Sequence, residues 1–426
     1  MMLEKRDIFQ ILRWKNVILC KKISGDSALL LIFTCYPCKL CISYSICMDN
    51  MQRLDYLNRI STFFEVNPVV ALLGPRQCGK TTLAKAYGAN SVVHYFDLEN
   101  PIDLARLEQP MLQLSELTGL IVIDEIQRRP NLFPILRVLV DEHKPRRFLI
   151  LGSASRELIQ QSSETLTGRI SYCELTPFSF SETHELKTLW LRGGFPRSYL
   201  ANSDSHSLMW RTDYIRTFLE QDIPMLGIDI APAQLNRFWM MLTHAHANIF
   251  NASELGRSLG VAHTTVKRYL DVLTGTFMVR ELMPWFENIS KRQVKSPKIY
   301  FRDSGILHAQ LQLSTYEALL AHSKLGASWE GFALEEIIRH LHAQPQEIFY
   351  WATQNGAELD LLIFKNGKRL GFEFKFNDAP RLTKSMQIAM QDLQLDQLIV
   401  LHPGVGAYQL AEKVTAMGLI DYLENR

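Results

Sequence analysis

Between Asn67 and about Glu174, short apolar runs alternate with helix-like stretches, and residues 69–73, 92–96, 120–123 and 148–151 each read as a strand buried on both faces. That alternation predicts a parallel sheet wrapped by helices. From Phe178 to about Pro284 the strand signals thin out and long amphipathic stretches dominate, as expected of a helical region. After Pro297 both patterns return, with strands predicted over 347–350, 360–364, 370–376 and 397–401. Globular patterning begins at Leu54, Leu57, Ile60, Phe63 and Phe64, which recur at helical spacing. The chain therefore reads as α/β, in four parts: a lead over 1–50, a sheet core over 51–177, a helical region over 178–296 and an α/β domain over 297–426.

A length of 426 residues with 47% apolar content predicts two or three folded domains. Net charge is +2, and seven of the 46 basic residues and four of the 44 acidic ones precede residue 51, so the remainder is close to neutral. Any nucleic-acid surface must then be a local patch. Cys20, Cys35, Cys38, Cys41 and Cys47 fall in the lead and only Cys78 and Cys173 follow, which suits a reduced, cytoplasmic body. The lead is apolar over 27–47, but Pro37 and Lys39 interrupt it, and Cys35, Cys38 and Cys41 lack a fourth ligand. Neither a membrane segment nor a metal site is expected there. Translation from Met48 or Met51 is the simpler expectation, which mass spectrometry of the endogenous N-terminus would test.

Gly74-Pro75-Arg76-Gln77-Cys78-Gly79-Lys80-Thr81, followed by Thr82, fits G-x-x-x-x-G-K-[ST] between an apolar strand and a helix. Such a loop turns its backbone N–H groups toward phosphate oxygens, and the helix adds its positive end. Lys80 is expected at the β- and γ-phosphates of ATP and the Thr81 hydroxyl on Mg. The strand ending in Asp124-Glu125 supplies the partner element: Asp124 for Mg, Glu125 to polarise the attacking water. Ser153, after the next apolar strand, reads as a sensor of the γ-phosphate or as a cap for a helix from Ser155 onward. Arg169 reads as a charge for the transition state, in cis or from a neighbouring subunit of a homo-oligomer, or as half of a salt bridge. No Asn-Lys-x-Asp element is present to read guanine.

Residues 253–273 carry a helix-turn-helix pattern across Gly260, with His263, Thr264, Lys267 and Arg268 facing outward and 277–282 able to form a wing. With Lys291, Arg292 and Lys295, this is the plausible basic patch for DNA; packing or partner docking is the alternative. Further on, Glu358 with Asp360 and Glu373 with Lys375 occupy the polar faces of two strands. Asp360, Glu373 and Lys375 could hold a divalent metal for phosphodiester cleavage, with Glu335 or Glu336 as a further ligand; a cross-strand salt bridge explains the same residues.

The loop from Gly74 to Thr82, Asp124-Glu125-Ile126-Gln127, Gly152-Ser153-Ala154-Ser155, Gly193-Gly194-Phe195-Pro196, and the run from Tyr214 to Asp222 together resemble a known group. They are similar to prokaryotic AAA-type P-loop ATPases with a C-terminal nuclease-like domain of unknown function. Matches from Lys298 to Gly305 and at Glu373-x-Lys375 extend the resemblance from Met51 to near Leu423. It implies an AAA-like core, a winged helix and a restriction-endonuclease-like fold, in that order. Cys78 stands where such loops often have a small aliphatic residue, so nucleotide binding is expected to be thiol-sensitive. The leading expectation is an Mg-dependent ATPase acting on DNA or a protein partner; the alternatives are an ATP-gated nuclease and a non-enzymatic nucleotide-switched regulator.

Overall fold

The computed structural model describes residues 8–14, 17–24, 27–33, 53–89, 91–142, 144–153 and 166–425. The chain divides into two units, Met1–Gln52 and Arg53–Arg426. In the first, β1 (Ile8–Trp14), β2 (Val17–Ser24) and β3 (Ser27–Phe33) form an antiparallel meander. Cys35, Cys38, Cys41, Met48 and Met51, on which the expectations for the lead turned, lie outside the described residues.

The second unit is built on a five-stranded parallel sheet. Its strands are β4 (Val69–Leu73), β5 (Val93–Asp97), β6 (Gly119–Asp124), β7 (Arg146–Gly152) and β8 (Ile170–Glu174), in the order β5-β6-β7-β4-β8. The four predicted strands are present, and β8 is the one the pattern missed. Successive side chains of β4 enter opposite cores: Val69, Ala71 and Leu73 pack with the helix Leu132–Asp141, whereas Val70 and Leu72 pack with Leu54–Val66 and Lys80–Gly88. Burial on both faces is why these strands read as unbroken apolar runs. Because all five strands point one way, the loops leaving β4, β6 and β7 open on the same edge.

The helices Asp204–Thr217, Pro232–Ala245, Ala252–Leu259 and His263–Gly275 share a second core around Phe218, Phe238 and Trp239. After β9 (Asn248–Ile249), β10 (Val279–Leu282) pairs antiparallel with β11 (Lys298–Phe301). The boundary expected near residue 297 therefore falls inside a hairpin, and β11 belongs to the helical region's core through Ile299 and Phe301. A six-stranded mixed sheet follows, made of β12 (Ile348–Ala352), β13 (Glu358–Lys365), β14 (Lys368–Phe374), β15 (Gln397–His402), β16 (Ala407–Ala411) and β17 (Val414–Gly418). Its order is β12-β13-β14-β15-β17-β16. Among the described residues, no helix is long and apolar enough to cross a membrane.

Two features join the parts. The helix Leu325–His340 presents Glu335 and Glu336 to a buried knot of arginines: Glu335 pairs with Arg280, Glu174 with Arg302, and Glu336 with Arg339 at 2.7 Å while accepting from Phe180 N at 2.8 Å. Against burial, Arg280 and Arg302 hold the Glu335 carboxyl down to about 2. Beside the knot, Gly305 lies so close to the carbonyl of Arg192 that a Cβ would come within 2.1 Å of its oxygen. The Gly193-Gly194 and Asp303-Ser304-Gly305 motifs are thus two sides of one contact, in which Asp303 accepts from Gly194 N at 2.8 Å.

Buried histidines fasten the same helix. His246 Nδ1 accepts from Phe301 N and its Nε2 donates to Ala327 O, each at 3.0 Å. His308 Nδ1 donates to Leu191 O at 3.0 Å while Nε2 accepts from Ser328 Oγ at 2.7 Å. The bond from Phe301 N requires a neutral His246, and burial keeps both rings neutral, lowering each to about 3. The unfolded chain takes up these protons near pH 6.5 and the folded chain does not, so stability is complete above that value and falls as pH drops toward 3. We predict a loss of about 1.4 kcal/mol per pH unit for each histidine in that window. Urea denaturation at pH 7.5 and 5.0 should reveal it, with a shallower pH slope in His308→Gln.

Candidate nucleotide site

The chain leaves β4 at Leu73 and reaches the helix Lys80–Gly88 through a loop held from three sides. Gly74 is pressed against the carbonyl of Leu175, where a Cβ would lie 2.1 Å from the oxygen. Gly79, at φ 101°, caps the helix. Arg53 donates to Cys78 O at 3.1 Å and to Thr176 O at 2.8 Å and pairs with Glu182. Tyr214 donates to Arg76 O at 3.3 Å. Pro75 is buried, Gln77 is exposed at φ 60°, and Thr81 and Thr82 are exposed on the first helical turn.

Lys80 is buried, and its Nζ donates to Gly74 O and Pro75 O at 2.9 Å each. The Thr81 hydroxyl donates to Asp124 Oδ2 at 2.7 Å, and Tyr95 donates to the same oxygen. Oδ1 accepts from Glu125 N at 3.0 Å, so Asp124 is held at both oxygens. Glu125 adopts left-handed backbone angles, φ 56° and ψ 44°. Gln127 donates from Nε2 to Glu125 and, at 3.0 Å, to Ser153 Oγ, tying the carboxylate to the end of β7. Burial raises the Glu125 carboxyl while Lys80 and Arg76 oppose the rise. A more basic carboxylate is a better proton acceptor. A hydroxyl and a carboxylate in contact beside a phosphate loop are the hard oxygen donors that Mg takes in nucleotide sites, so the residues present fit that ion.

Several expectations need correction. Arg169 lies at the start of β8, where its carbonyl accepts from Val69 N, and its side chain pairs with Asp141 at 2.7 Å. It stands at the opposite edge of the sheet from the loop, so it is no part of this site within the chain. Cys78 is fully buried with Sγ 3.5 Å from Leu175 O, and burial pushes its thiol up, which works against the expected thiol sensitivity. Arg53, Tyr95, Tyr214 and Asp222 belong to the site and were not foreseen; Arg76 pairs with Asp222 at 2.7 Å and Glu99 at 2.8 Å.

The second acidic cluster differs in membership. Asp360 accepts from Phe374 N at 3.1 Å and lies 3.6 Å from Lys375 Nζ, which pairs with Glu373 at 2.7 Å. The helix contributes Glu330 rather than Glu335 or Glu336, which are spent in the arginine knot. Lys298 Nζ sits among these carboxylates, 3.2 Å from Glu330, 3.6 Å from Asp360 and against Glu358. Burial and the nearby Asp360 push Glu330 and Glu373 up, whereas Lys298 and Lys375 pull Asp360 down against burial. Two ammonium groups occupy the ground expected for a metal, and no group of three or more His, Cys, Asp or Glu among the described residues is arranged to hold one. In the helix pair, His263, Thr264, Lys267 and Arg268 are exposed as expected, as are Arg292 and Lys295, while Lys291 pairs with Asp392 at 2.6 Å.

A parallel sheet with a phosphate loop after a central strand, and an acidic pair one strand beyond its neighbour, defines a P-loop ATPase fold. A family model described as an AAA domain matches residues 66–184, and two domains of unknown function match 183–317 and 325–422. The chain belongs to the same family as an uncharacterized protein of Mycobacterium tuberculosis, with which it is 48% identical over 370 residues, covering 86% of this chain and 83% of that protein. A Mycobacterium bovis protein, also uncharacterized, matches to the same extent. Among solved structures, a Walker-type ATPase of Pyrococcus abyssi is similar at 15% identity and TM-score 0.44, over 62% of this chain and 97% of that one.

The close approach at Gly74 yields a prediction. Its added Cβ would meet backbone, which cannot move aside as a flexible side chain would, so Gly74→Ala should cost about 1–3 kcal/mol of stability. Thermal unfolding would measure it, alongside Gly326→Ala as a control in open space.

Proposed function

We propose that this chain is an Mg-dependent ATPase of the AAA type that uses nucleotide turnover to move its helical region, and with it a DNA or protein partner, against the parallel sheet. The observation that carries the reading is the 2.7 Å contact between Thr81 and Asp124, with Glu125 fastened beside it and raised in basicity. Lys80 exchanges its loop carbonyls for β- and γ-phosphate oxygens, and backbone N–H groups at the start of its helix bind the remaining charge. Thr81 and Asp124 would hold Mg, whose charge offsets that of the phosphates. Glu125 accepts the proton of the attacking water, and Gln127 with Ser153 fixes its direction.

The exposed row His263, Thr264, Lys267 and Arg268 favours DNA as the partner, with the β10–β11 hairpin as a wing. Arg169, half-buried and paired with Asp141, could act only on a neighbouring subunit. The nuclease alternative draws on the company of Glu330, Asp360, Glu373 and Lys375, but Lys298 speaks against it.

Glu125→Gln should lower ATP hydrolysis at least ~100-fold while ATP affinity stays within about threefold of wild type. Undiminished turnover would remove the hydrolytic reading and leave a binding switch. DNA should stimulate the wild type, and Lys267→Ala with Arg268→Ala should abolish that stimulation; if DNA has no effect, the partner is a protein. Plasmid nicking with Mn, lost in Glu373→Ala, would reinstate the nuclease.

A further inference from the structure

The loop arginine has a second allegiance. Arg76 stands inside the phosphate cradle, yet its guanidinium binds Glu99, just past β5, and Asp222, in the helical region. Asp222 is the last residue of a π-helical turn, Phe218–Asp222, that continues the helix Asp204–Thr217. A π turn carries one residue more than the α-helical ladder accommodates, and such turns mark places where a helix can shift register. One α-helical turn, Ile223–Met225, continues beyond it, and Pro224 within that turn has no N–H to extend the ladder. Tyr214, four residues before the turn begins at Phe218, donates to Arg76 O, giving the same helix a second grip on the cradle.

The other side of the turn faces the helix-turn-helix. One cleft is lined by Arg76, Gln127, Ser153, Phe218, Asp222 and Thr276. Gln127 and Ser153 belong to the hydrolytic site, and Thr276 caps the C-terminus of His263–Gly275. Phe218 packs on Trp239, 5.4 Å between ring centroids, inside the core that also holds Val266, Leu270 and Leu273 of that helix. A displacement of the turn must therefore be felt by the helix bearing His263, Lys267 and Arg268.

We propose that Asp222 is a positioning residue that competes with the triphosphate for Arg76, and that the π turn carries the outcome to the helix His263–Gly275. This rests on the nucleotide-binding reading above. A triphosphate in the cradle brings negative charge toward Asp222 and Glu99 and offers Arg76 bidentate oxygens. Arg76 then turns to the phosphates, the carboxylate of Asp222 loses its partner beside a polyanion, and the turn moves outward. By reciprocity, a partner that holds the helix in the displaced position tightens nucleotide binding by the same factor.

The test follows hydrogen exchange of wild-type protein, Asp222→Asn and Asp222→Glu with and without a fluorescent ATP analogue and Mg, beside the affinity of that analogue and KM and kcat for ATP. In the wild type, nucleotide should change exchange in 214–226 and in 263–276 together. Asp222→Asn should bind nucleotide roughly fivefold more tightly or better, with KM falling more than kcat changes, and should lose the nucleotide-dependent response in 263–276. Asp222→Glu should restore it. Wild-type protein that binds nucleotide without any change in 218–226, or Asp222→Asn that keeps both wild-type affinity and response, overturns the latch and leaves the ATPase reading standing. Absence of nucleotide binding by the wild type removes both. Should Asp222→Asn fail to fold, the wild-type exchange and Asp222→Glu decide.

Discussion

The hydrogen bond from Thr81 to Asp124 is the contact on which the candidate chemistry depends, and it exists only because two non-adjacent strands keep register. β7 lies between them, pairing Leu73 with Gly152 on one side and Ile123 with Ile150 on the other. A slip of one residue would turn every inward side chain of a strand to the opposite core. The buried runs of β4, β6 and β7, broken only by exposed Gly119 and Arg147 near the strand starts, hold that register through the packing of their two faces. Tyr95 from β5 then adds a further strand to the same carboxylate, so four of the five strands converge on one edge, counting Ser153 at the end of β7.

What could be read from the sequence was local. The cradle, the acidic pair and the helix pair each lie within a short window, where spacing alone fixes which side chains share a face or a turn. Arg53 and Asp222 approach the cradle from 25 and 146 residues away, Tyr95 reaches Asp124 from 29 residues away, and no periodicity connects them. β8 was missed because only Cys173 of its five residues is fully buried. The acidic member of the second cluster went astray for a geometric reason. Glu330 lies about 140° around a helix from Glu335, at 3.6 residues per turn, and only the tertiary partners decide which of the two meets the sheet and which meets the arginines.

Lys298 changes the character of that second cluster. It arrives on β11, from the hairpin that closes the helical region, and inserts nearly buried among carboxylates of the mixed sheet. Four carboxylates can share so small a space because two lysines supply opposing charge and hydrogen bonds, and because burial keeps Glu330 and Glu373 reluctant to ionise. Removing one member of such a group leaves uncompensated charge away from water, which is far more costly than the group is stabilising. The cluster thus binds two parts of the chain together whatever else it does.

The arginine knot has a mechanical consequence. Glu174 ends β8 of the parallel sheet, Arg280 and Arg302 come from the hairpin, and Glu335 with Arg339 comes from the long helix that leads into the mixed sheet. Any swivel of one sheet against the other would have to pull these pairs apart at once. A charge network drawn from three separate stretches of chain thus acts as a brake on any rotation between the two sheets.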